Sequence, residues 1–145
     1  MGKRLYDKFE KYLFGSIIDV GCGDGKWLKY LRSLNQGFEL FGVDSDPKNI
    51  VKLRKGQVRG ESMLLENIHV FIDRRYDTVC CFDTLDDFKN RHGLLRVIQN
   101  LMTKDSTFLL KTNNLDVIIH CHKLFETVEK IDDKHYVFKL PEYIE

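Results

Sequence analysis

Residues 16–25 read Ser16-Ile17-Ile18-Asp19-Val20-Gly21-Cys22-Gly23-Asp24-Gly25, and this stretch decides the fold. The β-branched run Ile17, Ile18, Val20 has the composition of a buried parallel strand. It stops at three glycines spaced two apart, Gly21, Gly23 and Gly25. A helical pattern follows at once in Trp27, Leu28, Leu31 and Leu34. Strand, glycine turn and helix in that order let a backbone approach a nucleotide-like ligand closely. An acid, Asp19, stands two residues before the first glycine. A second, Asp44, closes the next apolar run, Phe38 to Val43, about 20 residues further on. That is where a carboxylate receives a ribose diol in such turns.

Three ligand classes use a glycine turn after a first strand. A phosphate-cradling P-loop needs four residues between its glycines and a Lys-Ser/Thr pair after them. Gly21 and Gly25 are one residue too close for that, and Trp27, which follows Lys26, cannot ligate magnesium. A dinucleotide turn wants a third glycine where Lys26 stands, so the helix would pack poorly on the strand. S-adenosylmethionine carries an ammonium and a sulfonium and no pyrophosphate, so acids beside the turn attract it.

At this point the chain resembles the class I S-adenosylmethionine-dependent methyltransferases. Asp19 to Gly25 matches that family's first motif, and Asp44 its ribose-binding acid. Val58-Arg59-Gly60-Glu61-Ser62 is similar to its third strand end, where an acid meets the adenine amine. Tyr76 to Leu85 is similar to the fourth strand and the loop after it, and Thr107 to Thr112 to the fifth strand. The resemblance implies a cofactor set of Asp19, Gly21, Cys22, Gly23, Gly25, Asp44, Ser45, Glu61, Ser62 and Phe82. It also implies an α/β fold: a doubly wound, mostly parallel seven-stranded sheet in the order 3-2-1-4-5-7-6, closed by a C-terminal antiparallel hairpin.

The rest of the chain fits one domain over residues 1–145. An amphipathic helix is expected over 3–13, and helices over about 25–35, 47–56, 89–102 and 114–124. The last should turn Leu115, Ile118, Ile119 and Leu124 inward. Strands are expected near 16–21, 38–43, 57–61, 76–82 and 106–112, with 63–75 ambiguous. The tail alternates apolar and polar residues over 125–131 and 135–140 around Asp132-Asp133-Lys134, the pattern of a hairpin. No apolar run is long enough to span a bilayer, and the N-terminus has no signal-peptide pattern. Four cysteines without Cys-x-x-Cys spacing suit a reducing compartment, so a cytoplasmic protein is expected.

Net charge is +1, and the basic runs Lys52-Leu53-Arg54-Lys55, Arg74-Arg75 and Lys89 with Arg91 read first as solvated faces. No metal is expected: His120-Cys121-His122 point apart on a helix and lack companion ligands. Candidate acceptor-side residues are Asp83, after the fourth strand, and Lys111, at the end of the fifth. The RNA ribose 2′-O-methyltransferases carry a Lys-Asp-Lys-Glu tetrad, and these two could supply its middle members, with Lys8 or Lys11 the first. No glutamate precedes the final strand to complete it. Asp86 and Asp87 read as helix N-caps or acceptor residues.

The leading expectation is a methyltransferase with an open acceptor site and a macromolecular acceptor, RNA first. A small-metabolite enzyme closed by a homodimer or partner chain is the alternative, and a non-catalytic binding module a third.

Overall fold

The structure, a computed structural model, describes residues 2–142. Helix α1 (Gly2–Phe9) leads into β1 (Ser16–Val20), α2 (Lys26–Ser33), β2 (Glu39–Asp44), α3 (Pro47–Lys55) and β3 (Arg59–Ser62). A one-turn helix α4 (Ile68–Phe71) precedes β4 (Tyr76–Phe82), α5 (Arg91–Asn100), β5 (Met102–Lys111) and α6 (Leu115–Leu124). The chain closes with β6 (Glu126–Lys130) and β7 (His135–Lys139). The sheet runs β3-β2-β1-β4-β5-β7-β6, with β7 antiparallel to both β5 and β6. This is the order expected from the sequence.

Every residue of β1 is buried, which is why its sequence is β-branched on both faces. Ile18 and Val20 face α5 and α6 through Leu94, Leu95, Ile98, Val117 and Cys121. Ile17, with Cys80, Leu109 and Val137, faces the layer of α1, α2 and α3, where Phe9, Trp27, Leu28, Leu31, Ile50 and Leu53 pack. Local signals place the helix starts. Pro47 occupies the first turn of α3, and the Asp46 carboxylate accepts from the Lys48 N–H at 2.9 Å. Asn90 caps α5 and Asn114 caps α6 in the same way.

Several expectations change. Helix α1 ends at Phe9, and a 3₁₀ turn, Glu10–Tyr12, carries the chain on to the Gly15 bend. Strand β3 begins at Arg59, two residues late, because Gln57 takes a left-handed conformation after α3. Strand β5 begins at Met102, four residues early. Its register with β4 shifts between Tyr76 and Thr78, and the Ser106 hydroxyl meets the Tyr76 carbonyl there. The ambiguous stretch holds a 3₁₀ turn, Leu65–Asn67, and α4. Helix α6 buries Val117 and Cys121 while Leu115 and Ile119 are exposed. The stripe Val117, Ile118, Cys121, Leu124 follows the i, i+4, i+7 spacing better than the one inferred from leucine and isoleucine alone. Asp86 does not cap α5. Its carboxylate instead accepts from the Thr112 hydroxyl and the Asn113 N–H, joining the loops after β4 and β5.

No helix among the described residues is long and apolar enough to cross a membrane.

Candidate functional site

Parallel strands β1, β2, β3, β4 and β5 all point their carboxyl ends to one edge, and the glycine turn sits there. The N–H groups of Gly21 and Cys22 both donate to the Val43 carbonyl, at 2.8 and 2.9 Å, so the turn is bolted to the end of β2. Gly23 N–H donates to Asp44 Oδ2 at 2.9 Å. The other oxygen, Oδ1, accepts from Asp46 N–H at 2.9 Å and Asn49 Nδ2 at 3.3 Å. Asp44 therefore organises the turn as well as facing the crevice.

The glycines differ in what they need. A Cβ on Gly21 would lie 2.2 Å from Thr84 Oγ1, so this glycine lets the turn pack on the loop after β4. A Cβ on Gly23, whose φ is +58°, would meet no atom within 4 Å. The space beside Gly23 is open, as backbone approach by a ligand requires.

Asp19 lies beneath the turn, 3% exposed. Burial, and then the charge of Asp44, push its carboxyl up to about 7. No hydrogen bond to its carboxylate offsets this among the described residues. Trp27 Nε1 is buried at the start of α2, facing the Cys80 thiol of β4, with no oxygen or nitrogen partner among the described residues. Burial raises the Cys22 thiol well above the ordinary range, so it is a packing group and no nucleophile.

The adenine-side candidates diverge. Ser62, not Glu61, is in register with Asp44, and its hydroxyl reaches the Ser45 carbonyl at 3.4 Å. Glu61 pairs instead with Arg54 of α3 at 3.2 Å on the sheet edge.

On the acceptor side, Lys111 Nζ meets Asp83 Oδ2 at 2.8 Å, and Asp83 N–H donates to the Lys111 carbonyl at 2.8 Å. Asp83 holds a left-handed φ of +63°, an uncommon conformation outside glycine, at the end of β4. Phe82 is stacked on Phe9 of α1, ring centres 5.5 Å apart, and meets Trp27 edge-on at 5.6 Å. Phe82, Lys111 and His135 stand in one row across β4, β5 and β7. His135 Nδ1 lies 2.7 Å from Asp132 Oδ1, and Asp132 Oδ2 accepts from Lys8 at 2.6 Å. Lys11 and Tyr12 both hold Glu129. The tetrad is therefore not assembled: Lys8 is committed to Asp132 and Lys11 to Glu129, while Asp83 and Lys111 pair with each other.

Trp27, Thr84, Asn49 and His135 also stand beside the turn or the strand ends, and the sequence did not mark them as candidates. The Asp132-x-x-His135 spacing across a hairpin turn was the one available signal for the last. A concavity of about 790 Å³ lies elsewhere, between the start of β5 and the end of β7, lined by Arg75, Thr103, Lys104 and Lys139. It is at the opposite edge from the glycine turn.

Sheet order, glycine turn and strand-end acids together define the class I methyltransferase architecture. A family profile described as a methyltransferase domain matches residues 3–141, and the chain belongs to that family. A curated relative, putative methyltransferase 235L of Invertebrate iridescent virus 6, is 26% identical over 121 residues, 80% of this chain and 46% of its own length. The chain thus spans about half the length of the curated relative it matches. Among solved structures, the PH0226 protein of Pyrococcus horikoshii superposes with a TM-score of 0.77 at 16% identity, covering 96% of this chain and 91% of that one. A TehB-like methyltransferase of Corynebacterium glutamicum gives 0.75 at 17% identity, covering 94% and 87%. The plantazolicin methyltransferase BamL, solved with a triazolic desmethylPZN analog and SAH, gives 0.62 at 25% identity, covering 74% and 42%.

Proposed function

We propose that this chain is an S-adenosylmethionine-dependent methyltransferase. One observation carries the reading: an open backbone approach at Gly23, tied to Asp44, above a buried acid with no hydrogen-bond partner among the described residues. When bound, S-adenosylmethionine supplies an electrophilic methyl group on a cationic sulfur. The residues fit it. Asp19 is raised by burial and by Asp44, and an ammonium or sulfonium nearby relieves both effects. Asp44 presents a carboxylate beside the turn where hydroxyls can donate. Phe82, Trp27 and Phe9 form an apolar wall on the acceptor side and exclude water.

Asp83 and Lys111 are the residues nearest the acceptor half. Their pairing leaves the lysine neutralised by a carboxylate, so it does not repel a sulfonium. This supports roles in holding the acceptor or moving its proton. A macromolecular acceptor, RNA first, is the favoured substrate class. A small-molecule acceptor is the second reading, supported by the 25% identity to a methyltransferase crystallised with a desmethylPZN analog.

Calorimetry with S-adenosylmethionine and with S-adenosylhomocysteine tests the assignment. Saturable binding of both is expected, and Gly23→Val should abolish it, because its side chain enters ligand space and a β-branched residue resists the φ of +58° the turn holds there; urea unfolding of the variant separates the two effects. Equal affinity in the variant refutes the site.

A further inference from the structure

Helices α2 and α3 carry seven of the chain's 23 cations (Lys26, Lys29, Arg32, Lys48, Lys52, Arg54 and Lys55) and none of its 22 acids. The remainder of the chain holds 16 cations against 22 acids, so an overall charge of +1 conceals a strongly divided surface. Both helices lie on the same side of the sheet, following β1 and β2. Their cationic faces adjoin. The Lys29 side chain crosses Gly56 at the end of α3, within 3 Å of where a Cβ would stand. Arg32 donates to Gln57 Oε1 at 2.7 Å.

Elsewhere Lys3, Lys8, Lys11, Arg74, Lys111, Lys130 and Lys139 form ion pairs with carboxylates, as Arg54 of α3 does with Glu61; among the described residues the nine other cations outside α2 and α3 form none and are spread over α1, β3, α5, β5, α6 and the loops. Among the described residues Lys26, Lys29, Arg32, Lys48, Lys52 and Lys55 form none. They make two parallel columns of three, each about 10 Å long at 1.5 Å of rise per residue. Their upper ends, Lys26 and Lys48, adjoin the glycine turn and Asp44.

We propose that this α2–α3 face binds the phosphodiester backbone of a nucleic acid and carries it to the rim of the methyl-donor crevice. Lysines on flexible stems suit phosphate oxygens as point charges and need no buried fit. An anionic membrane fits less well. Interfacial helices insert an apolar face, whereas Trp27, Leu28, Leu31, Ile50 and Leu53 are already buried in the core. Val51 is the one strongly exposed apolar side chain on the two helices. No base-reading geometry is evident, so the contact is independent of sequence and reads backbone charge. The proposal deepens the methyltransferase reading by naming the partner class; the binding itself requires no cofactor.

The test is fluorescence anisotropy of the 145-residue chain with a labelled RNA hairpin, a single-stranded RNA and a DNA duplex, each of about 20 nucleotides or base pairs. Neutralising four to six phosphates predicts micromolar affinity at about 50 mM salt, falling about 50- to 1,000-fold by about 200 mM. The RNA and DNA arms distinguish the source of the backbone. Lys29→Glu/Lys52→Glu/Lys55→Glu should weaken binding at least about 100-fold and reduce the salt slope by about three. The milder triple change to Gln should weaken it in the same direction without burdening the fold. Lys123→Glu/Lys134→Glu, on α6 and the hairpin, should bind like wild type. S-adenosylhomocysteine affinity of all variants should stay within a few-fold of wild type; loss of that affinity in wild type itself speaks against the methyltransferase reading and leaves this one standing. Nucleic-acid affinity weaker than about 100 µM at the lower salt, equal losses in the control variant, or tighter binding to phosphatidylserine vesicles than to any of the three nucleic acids would each overturn the proposal.

Discussion

Asp19→Asn should make the ligand-free protein more stable at alkaline pH and a poorer binder of S-adenosylmethionine. The folded carboxyl titrates near 7 and the unfolded one near 3.8. Because the folded value is raised, the folded state holds more protons than the unfolded state between those two pH values. Stability therefore falls as pH rises through that window, and the full penalty is present above it. A shift of about three units corresponds to about 4 kcal/mol at 1.36 kcal/mol per unit. Asparagine removes the titration but leaves a buried amide without a partner, which costs about 1–3 kcal/mol. The variant should thus be equal to or less stable than wild type near pH 4, and about 1–3 kcal/mol more stable near pH 8.

Urea unfolding at pH 4, 6 and 8 measures this, provided the m-values agree. The ligand arm has the opposite sign. A bound cation keeps Asp19 ionised, so binding near pH 6.5 should release a proton, detectable by calorimetry in buffers of different ionisation enthalpy. The variant should release none and bind about 30-fold more weakly, a loss of about 2 kcal/mol. A stability difference that stays flat with pH refutes the reasoning, because the burial of an unpaired charge would then be absent.

Asp44→Ala removes the acceptor of three donors that shape the turn, and S-adenosylmethionine affinity should fall about 5- to 150-fold, for a loss of about 1–3 kcal/mol, measured by calorimetry. Lys111→Met and Asp83→Asn should each leave that affinity within a few-fold yet lower tritiated methyl transfer to the identified acceptor about a hundredfold or more. Burial raises the Asp132 carboxyl, but Lys8, His135 and the Lys134 N–H outweigh it and hold it well below the usual range. The stability it adds is present above about pH 4 and lost on further acidification. Asp132→Asn should therefore be less stable than wild type in neutral urea titrations, with the gap closing in strong acid.

The methyl-donor half was legible because each of its requirements is local. A turn that packs on Thr84 and leaves backbone open beside it demands glycine at 21 and 23, a strand buried on both faces demands the Ile17–Val20 run, and the start of α3 is marked by Asp46-Pro47. Such needs act over a few residues and mark the sequence directly. Glu61 shows the limit. Its spacing after β2 is right, but Arg54 on α3 competes for the same carboxylate, and spacing does not reveal a neighbour on another element. The inward face of α6 differs from the expected one for a related reason: Leu115 and Ile119 are the stronger hydrophobes, yet the smaller Val117 and Cys121 stand on the stripe buried in the core.

The proposed acceptor half draws on opposite ends of the chain, which is why no motif announced it. Phe9 of α1 is fully buried between Phe82 and His135, its ring centre 5.5 and 5.8 Å from theirs. Lys8 and Lys11 fasten the same segment to Asp132 and Glu129 of the hairpin. The face of the sheet beneath α1 is therefore closed by packing, so on the proposed reading an acceptor arrives over the carboxyl edge, where Asp83, Lys111 and His135 stand in neighbouring strands. That approach runs past the start of α2, where the unpaired lysines begin. A long polyanion lying along α2 and α3 can present one nucleotide at this edge without entering a pocket. A small acceptor has no such guide and would depend on the edge residues alone. The concentration of cations on α2 and α3 and the closure of the α1 face thus support the same proposed class of substrate, though each rests on different residues.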